Sequence, residues 1–97
     1  MACVIKSFAN KRTQELWETG KSKGVLPPNL FRAALRKLVM VNDAAELKDL
    51  AVPPGNRLEP LRGDREGQHS IRINDRYRIC FVWRDGNAYQ VEVVDYH

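Results

Sequence analysis

Seven cations fall between positions 57 and 84, and all seven are arginine: Arg57, Arg62, Arg65, Arg72, Arg76, Arg78 and Arg84. A guanidinium holds two phosphate oxygens at once through its rigid planar fork, which an ammonium cannot do. Lysines are confined to the first half of the chain. Past Arg84 the sign reverses: Asp85, Glu92 and Asp95 follow without another Lys or Arg, and the sequence closes on Asp95-Tyr96-His97. Such a set suits chemistry at the phosphodiesters of RNA, which can cleave itself through its 2′-hydroxyl. A protein that helps must take the proton from that hydroxyl, stabilise the charge on the phosphorane and protonate the leaving 5′-oxygen. Glu59, Arg62, Arg72, Arg78, Tyr96 and His97 together would supply every part. No metal ion or cofactor is expected, because Cys3 and Cys80 form no CxxC motif and no ligand cluster is visible.

Each of these residues also has a plainer reading. The arginines could simply pair with neighbouring carboxylates such as Glu92, and exposed pairs of that kind are common and weak. His97 lies beside its own α-carboxylate, which favours the imidazolium form that a general acid needs. It is equally the chain end, where residues usually fray. Tyr96 could stack on a splayed base or pack as an ordinary strand aromatic. Asp64 and Glu66 are expected to order their turn by pairing with Arg62 or Arg65.

Elements must hold these groups in place. Ninety-seven residues, 43% hydrophobic and 29% charged, describe a single globular domain spanning 1–97 rather than a disordered chain. The net charge of +4 points toward a polyanionic partner. No signal peptide and no apolar run of membrane-spanning length is present, so a cytoplasmic location is expected. Residues 4–8 read as a first strand, and Asn10 as the cap of a helix over 11–19 that stops at Gly20. Phe31, Ala34, Leu35, Leu38 and Val41 form one apolar stripe, with Arg32, Arg36 and Lys37 on the other side, which predicts an amphipathic helix. A further helical turn over 44–50 and a short strand over 57–61 lead into strands at 68–73, 77–84 and 88–96. The order β-α-α-β-β-β predicts an α+β domain with both helices on one face of an antiparallel sheet.

Alternation within the strands assigns their faces. Ile71 and Ile73 alternate with Ser70, Arg72 and Asn74; Tyr77, Ile79, Phe81 and Trp83 with Arg78, Cys80, Val82 and Arg84; and Tyr89, Val91 and Val93 with Gln90, Glu92 and Val94. Three-residue loops, Asn74-Asp75-Arg76 and Asp85-Gly86-Asn87, would bring the three first-named apolar sets onto one side, whereas two-residue loops would mix the faces. Arg72 is then opposite Arg78 on the bare face, and Tyr96 opposite Arg76. Two guanidiniums side by side repel unless an anion lies between them. His69, Trp17 and Trp83 read as core residues.

Four segments resemble a known family. Asn56-Arg57-Leu58-Glu59-Pro60-Leu61-Arg62-Gly63-Asp64-Arg65-Glu66-Gly67-Gln68-His69-Ser70-Ile71 is similar to the L-x-P-L-K/R-G-x-R-x-G-x-x-S-I stretch of HigB-type toxins of the RelE/ParE superfamily. Arg76-Tyr77-Arg78-Ile79-Cys80-Phe81 resembles their x-W/Y-R-I-x-F strand, and Asp95-Tyr96-His97 their D-Y-H ending. Ile5-Lys6-Ser7-Phe8 resembles their opening strand. The resemblance implies a microbial ribonuclease-like fold and the toxin half of a bacterial toxin–antitoxin pair. It implies a metal-independent endoribonuclease that enters the ribosomal A site and cleaves mRNA. The implied partner is a helix-turn-helix antitoxin of the HigA type, and operator DNA is met only through it. Carried over, Asp95, Tyr96 and His97 match the catalytic ending, Arg62 a basic active-site residue and Arg78 the central-strand arginine. Arg65, Arg72 and Arg76 are expected to bind RNA. Where some members carry an active-site His, this chain has Glu59, which either weakens cleavage or takes over the base role. Relatives of this fold that poison gyrase without cutting provide the alternative function.

Overall fold

Asn10 starts helix α1, Lys11–Thr19, in the computed structural model, which describes residues 4–95. Its side chain accepts from the Thr13 amide at 2.8 Å, filling one of the donors left open at a helix start. Gly20, at φ 85°, takes the left-handed position that ends the helix. Helix α2, Phe31–Asp43, follows a single 3-10 turn at Pro28–Leu30. Its expected stripe is real: Ala34, Leu38 and Val41 are fully buried, and Phe31 and Leu35 pack at the margin. The helical turn anticipated over 44–50 is a 3-10 turn at Leu47–Ala51, held by a reciprocal Glu46/Asp49 cap.

Four strands form one antiparallel sheet in sequence order: β1 Glu59–Pro60, β2 His69–Arg72, β3 Tyr77–Arg84 and β4 Asn87–Asp95. The helices cover one face, as anticipated. There Leu16 and Leu38 meet Ile71, Ile79, Phe81 and Val91, each essentially excluded from water and contributing about 1.5–3 kcal/mol of hydrophobic stabilisation. Trp17 and Trp83 pack against this core, the latter edge-on to Phe81. Thr13, buried in α1, accepts from the Val93 amide at 3.1 Å and fastens the helix to β4. The expected opening strand is only partly formed. Ile5 and Phe8 make isolated parallel bridges to Ala88 and Val91, and Ser7 supplies side-chain contact in between.

The strand register places the arginines. Arg72 is opposite Arg78 and Ile79 is opposite Val93, as the alternation predicts. The β2–β3 loop has three residues, and the Asn74 side chain orders it by accepting from the amides of Arg76 and Tyr77 at 2.9 and 2.8 Å. The β3–β4 loop does not have three. Arg84 pairs with Asn87, leaving Asp85-Gly86 with φ of 54° and 78°, a tight turn with both residues left-handed. That shorter loop would mix the faces, but a bulge corrects it. Between the pairs Cys80–Glu92 and Val82–Tyr89, β3 contributes one residue and β4 contributes two, with Gln90 at φ 53°. The Gln90 amide donates to Ser7 Oγ at 2.9 Å instead of to the ladder. Tyr89 is consequently not on the core side, as expected, but beside Val82 on the other face, with the Arg84 guanidinium 4.6 Å above its ring. Ala88 fills the core position instead.

Candidate active site

The face of the sheet away from the helices carries Ser70 and Arg72 on β2 and Arg78 and Cys80 on β3. Arg78 is its centre. Although charged, it is only 9% exposed, so it must be bonded on several sides. Its Nε donates to Ser70 Oγ at 2.7 Å, and Nη2 donates to the Arg57 carbonyl at 2.7 Å. The same Nη2 is 3.2 Å from Glu59 Oε1. β1 makes this possible: Glu59 is opposite Ser70, one strand away from β3. The fork is thereby fixed in orientation, while the Glu59 carboxylate remains half exposed and open to a ligand.

Beside this fork lies a cleft of about 320 Å³, lined by Arg57, Arg72, Asn74, Asp75 and Arg78. Among the described residues, three arginines there meet two carboxylates, Asp75 on Arg72 and Glu59 on Arg78. Asp75 is 95% exposed, so its pairing with Arg72 is screened by water. Arg57 sits at φ 47°, a left-handed conformation unusual for a residue with a side chain, and this turns its carbonyl toward Arg78.

The remaining expected residues are distributed around this centre. Arg65 does not pair with Asp64 or Glu66. It reaches across the sheet to Glu92, at 3.1 Å, and to Gln68. Arg76 and Asp95 hold each other through two bonds of 2.8 Å at the far end of β3–β4. That bonding raises the already high pKa of Arg76, chiefly through the hydrogen bond to Asp95. Arg62 is exposed just before the 3-10 turn Gly63–Arg65. Tyr96 and His97, and with them the expected pairing of Tyr96 with Arg76, lie outside the described residues. The plainer reading of the arginines is therefore partly realised: Arg65, Arg72, Arg76 and Arg78 each have a carboxylate partner. Their convergence is realised only for Arg72 and Arg78, joined by Arg57.

Sequence reasoning missed Arg57 as a cleft residue, together with Ser70, Asn56 and Lys37. Ser70 shares the strand face of Arg72, so alternation already marked it. Asn56 is fully buried, and its amide donates to the carbonyls of Leu50 and Val52 at 3.2 and 3.3 Å. Its oxygen accepts from Lys37 Nζ. Lys37 was expected on the polar side of α2 but is half-buried. Burial, then repulsion from Arg36 and Arg72, pulls its pKa below the usual lysine value. Cys80 is buried, and desolvation raises its thiol pKa, which makes it a poor nucleophile.

Comparison with known proteins identifies the family. A family model described as RelE-like toxin of type II toxin-antitoxin system HigB matches residues 6–97. The chain is 40% identical over 81 residues to Toxin HigB-1 of Vibrio cholerae, covering 84% of this chain and 85% of that one. It is 35% identical over 100 residues to Endoribonuclease HigB of Proteus vulgaris, covering 97% and 100% respectively. Among solved structures, the YoeB-YefM complex from Staphylococcus aureus contains a chain of similar fold, with a TM-score of 0.56 at 15% identity over 96% of this chain and 97% of that one. With the family model matched across nearly the whole length and two relatives above 30% identity, the chain belongs to the HigB-like family of RelE-like toxins of type II toxin–antitoxin systems.

Proposed function

We propose that this toxin is an endoribonuclease that cleaves messenger RNA in the ribosomal A site of the bacterial cytoplasm without a metal ion. Its antitoxin is a helix-turn-helix protein of the HigA type, which alone carries the pair to operator DNA. The observation that carries the enzymatic reading is the convergence of Arg57, Arg72 and Arg78 on one cleft, with the Glu59 carboxylate 3.2 Å from the Arg78 fork. The Proteus vulgaris relative, named an endoribonuclease, supports it. In this reading the scissile phosphate displaces Asp75 and bridges Arg72 and Arg78. Glu59 then takes the 2′-hydroxyl proton, the arginines stabilise the phosphorane, and His97 or Tyr96 protonates the 5′-oxygen. Arg62, Arg65 and Arg76 hold the flanking backbone. Asp95, bonded to Arg76, sets the strand end from which the last two side chains depart.

The test is growth on induced expression combined with primer extension on cellular mRNA. Cuts inside translated frames, lost when translation is blocked and lost in His97→Ala, are the expected result. Growth arrest with intact messages would overturn this reading in favour of a non-cleaving toxin that acts on the ribosome or on gyrase.

A further inference from the structure

We infer that Lys37, on α2 and tied through Asn56 to the loop that carries the cleft residue Arg57, is a second phosphate-binding group that holds the RNA backbone next to the scissile position. This rests on the endoribonuclease reading above.

The geometry runs through three residues. Lys37 Nζ donates to Asn56 Oδ1, and Asn56 is anchored by its amide to the carbonyls of Leu50 and Val52. The next residue, Arg57, lines the cleft and gives its carbonyl to Arg78. Lys37 does not line the cleft itself, but its Nζ is held by a fully buried amide one residue before Arg57, and it lies close enough to Arg72 to feel its charge. An ammonium has three donors, and the Asn56 oxygen occupies one. Among the described residues, Lys37 forms no ion pair with a carboxylate, and its charged neighbours are Arg36 and Arg72. A half-buried cation facing other cations is unfavourable for the empty protein, which is why its pKa is lowered. An incoming phosphodiester offsets the repulsion part of that penalty, because it supplies negative charge to Lys37 and Arg72 together. RNA carries one phosphate per nucleotide, so a strand whose scissile group lies on Arg72 and Arg78 presents another to Lys37.

Single-turnover cleavage of ribosome-bound mRNA, measured against toxin concentration, tests this. Lys37→Gln removes the charge while leaving an amide that can still donate to Asn56. Lys37→Arg keeps the charge. The expected result is about a tenfold rise in the half-saturating concentration for Lys37→Gln, with the plateau rate unchanged, and near wild-type behaviour for Lys37→Arg. Urea unfolding of each variant establishes that the comparison is between folded proteins. If both variants match the wild type, Lys37 does not touch RNA. If both fail equally, Lys37 acts through its shape and not its charge, and the inference is again overturned. In either case the endoribonuclease reading survives as long as the wild type cuts. A wild type that does not cut ends both.

Discussion

Replacing Arg78 by alanine removes the group on which the cleft is built, and the cost can be worked out bond by bond. Ser70 Oγ, fully buried, and the Arg57 carbonyl each lose a donor at 2.7 Å. A buried polar group left without a partner costs about 1–3 kcal/mol. Glu59 is half exposed and regains water, so loss of its ion pair adds little. For these described partners the sum is about 2–6 kcal/mol, at or below the low end of the roughly 5–15 kcal/mol by which small domains are stable. Arg78→Ala should therefore remain folded, with a clearly lower urea midpoint. Cleavage should fall far more, by about 10²–10³-fold, the usual consequence of removing one donor aimed at transition-state charge. Arg78→Lys is the companion variant. One ammonium cannot span Ser70 and Arg57 as the fork does, so it should recover part of the stability and little of the activity. A folded Arg78→Ala, or a folded Arg78→Lys, that cuts mRNA at the wild-type rate would refute the assignment of this cleft as the place of reaction.

Three further outcomes are expected. Glu59→Gln should leave the urea midpoint nearly unchanged, since the carboxylate is half exposed, and should slow cleavage by about 10²–10⁴-fold in the rate assay. Asn56→Ala deletes the buried hydrogen bonds to Leu50, Val52 and Lys37, so urea unfolding should show a loss of about 2–4 kcal/mol, accompanied by a lower cleavage rate because Arg57 is no longer fixed. Cys80 should resist iodoacetamide in the native protein and react on unfolding. Its burial-raised pKa also has a stability consequence with a definite sign. The unfolded thiol ionises near its ordinary value of 9.0 while the native one stays protonated, so stability should fall as pH rises past about 9. The difference between wild type and Cys80→Ala in pH-dependent urea unfolding isolates that contribution.

The parts of the fold that a single periodicity decides were legible in the sequence. The α2 stripe at Ala34, Leu38 and Val41 and the opposition of Arg72 and Arg78 follow from burial acting on residues three, four or two apart. The β3–β4 loop differs from the expected three residues because burial constrains only the net register. Asp-Gly favours a two-residue turn through its left-handed conformers, and the bulge at Gln90 makes up the missing residue. The faces near Arg78 are thus as anticipated, while Tyr89, beyond the bulge, is reversed. Within the site, Glu59, Arg72 and Arg78 carried chemical signals. Asn56 and Lys37 did not, because an amide in a Pro-rich loop and a lysine on a helix show their meaning only when the loop folds back onto α2. The ion pairs Arg65–Glu92 and Arg76–Asp95 join residues 27 and 19 positions apart, which local patterns do not report.

The most direct measurement follows the arginine side chains themselves. Arginine Nε–H resonances would be recorded while a 2′-O-methyl oligoribonucleotide, which lacks the nucleophile, is titrated in. Arg57, Arg72 and Arg78 should shift together along one saturation curve, and Arg12 and Arg32 on the helices should not move. Shifts confined to the helical arginines, with those of the cleft unchanged, would contradict the central claim that RNA lies in this cleft.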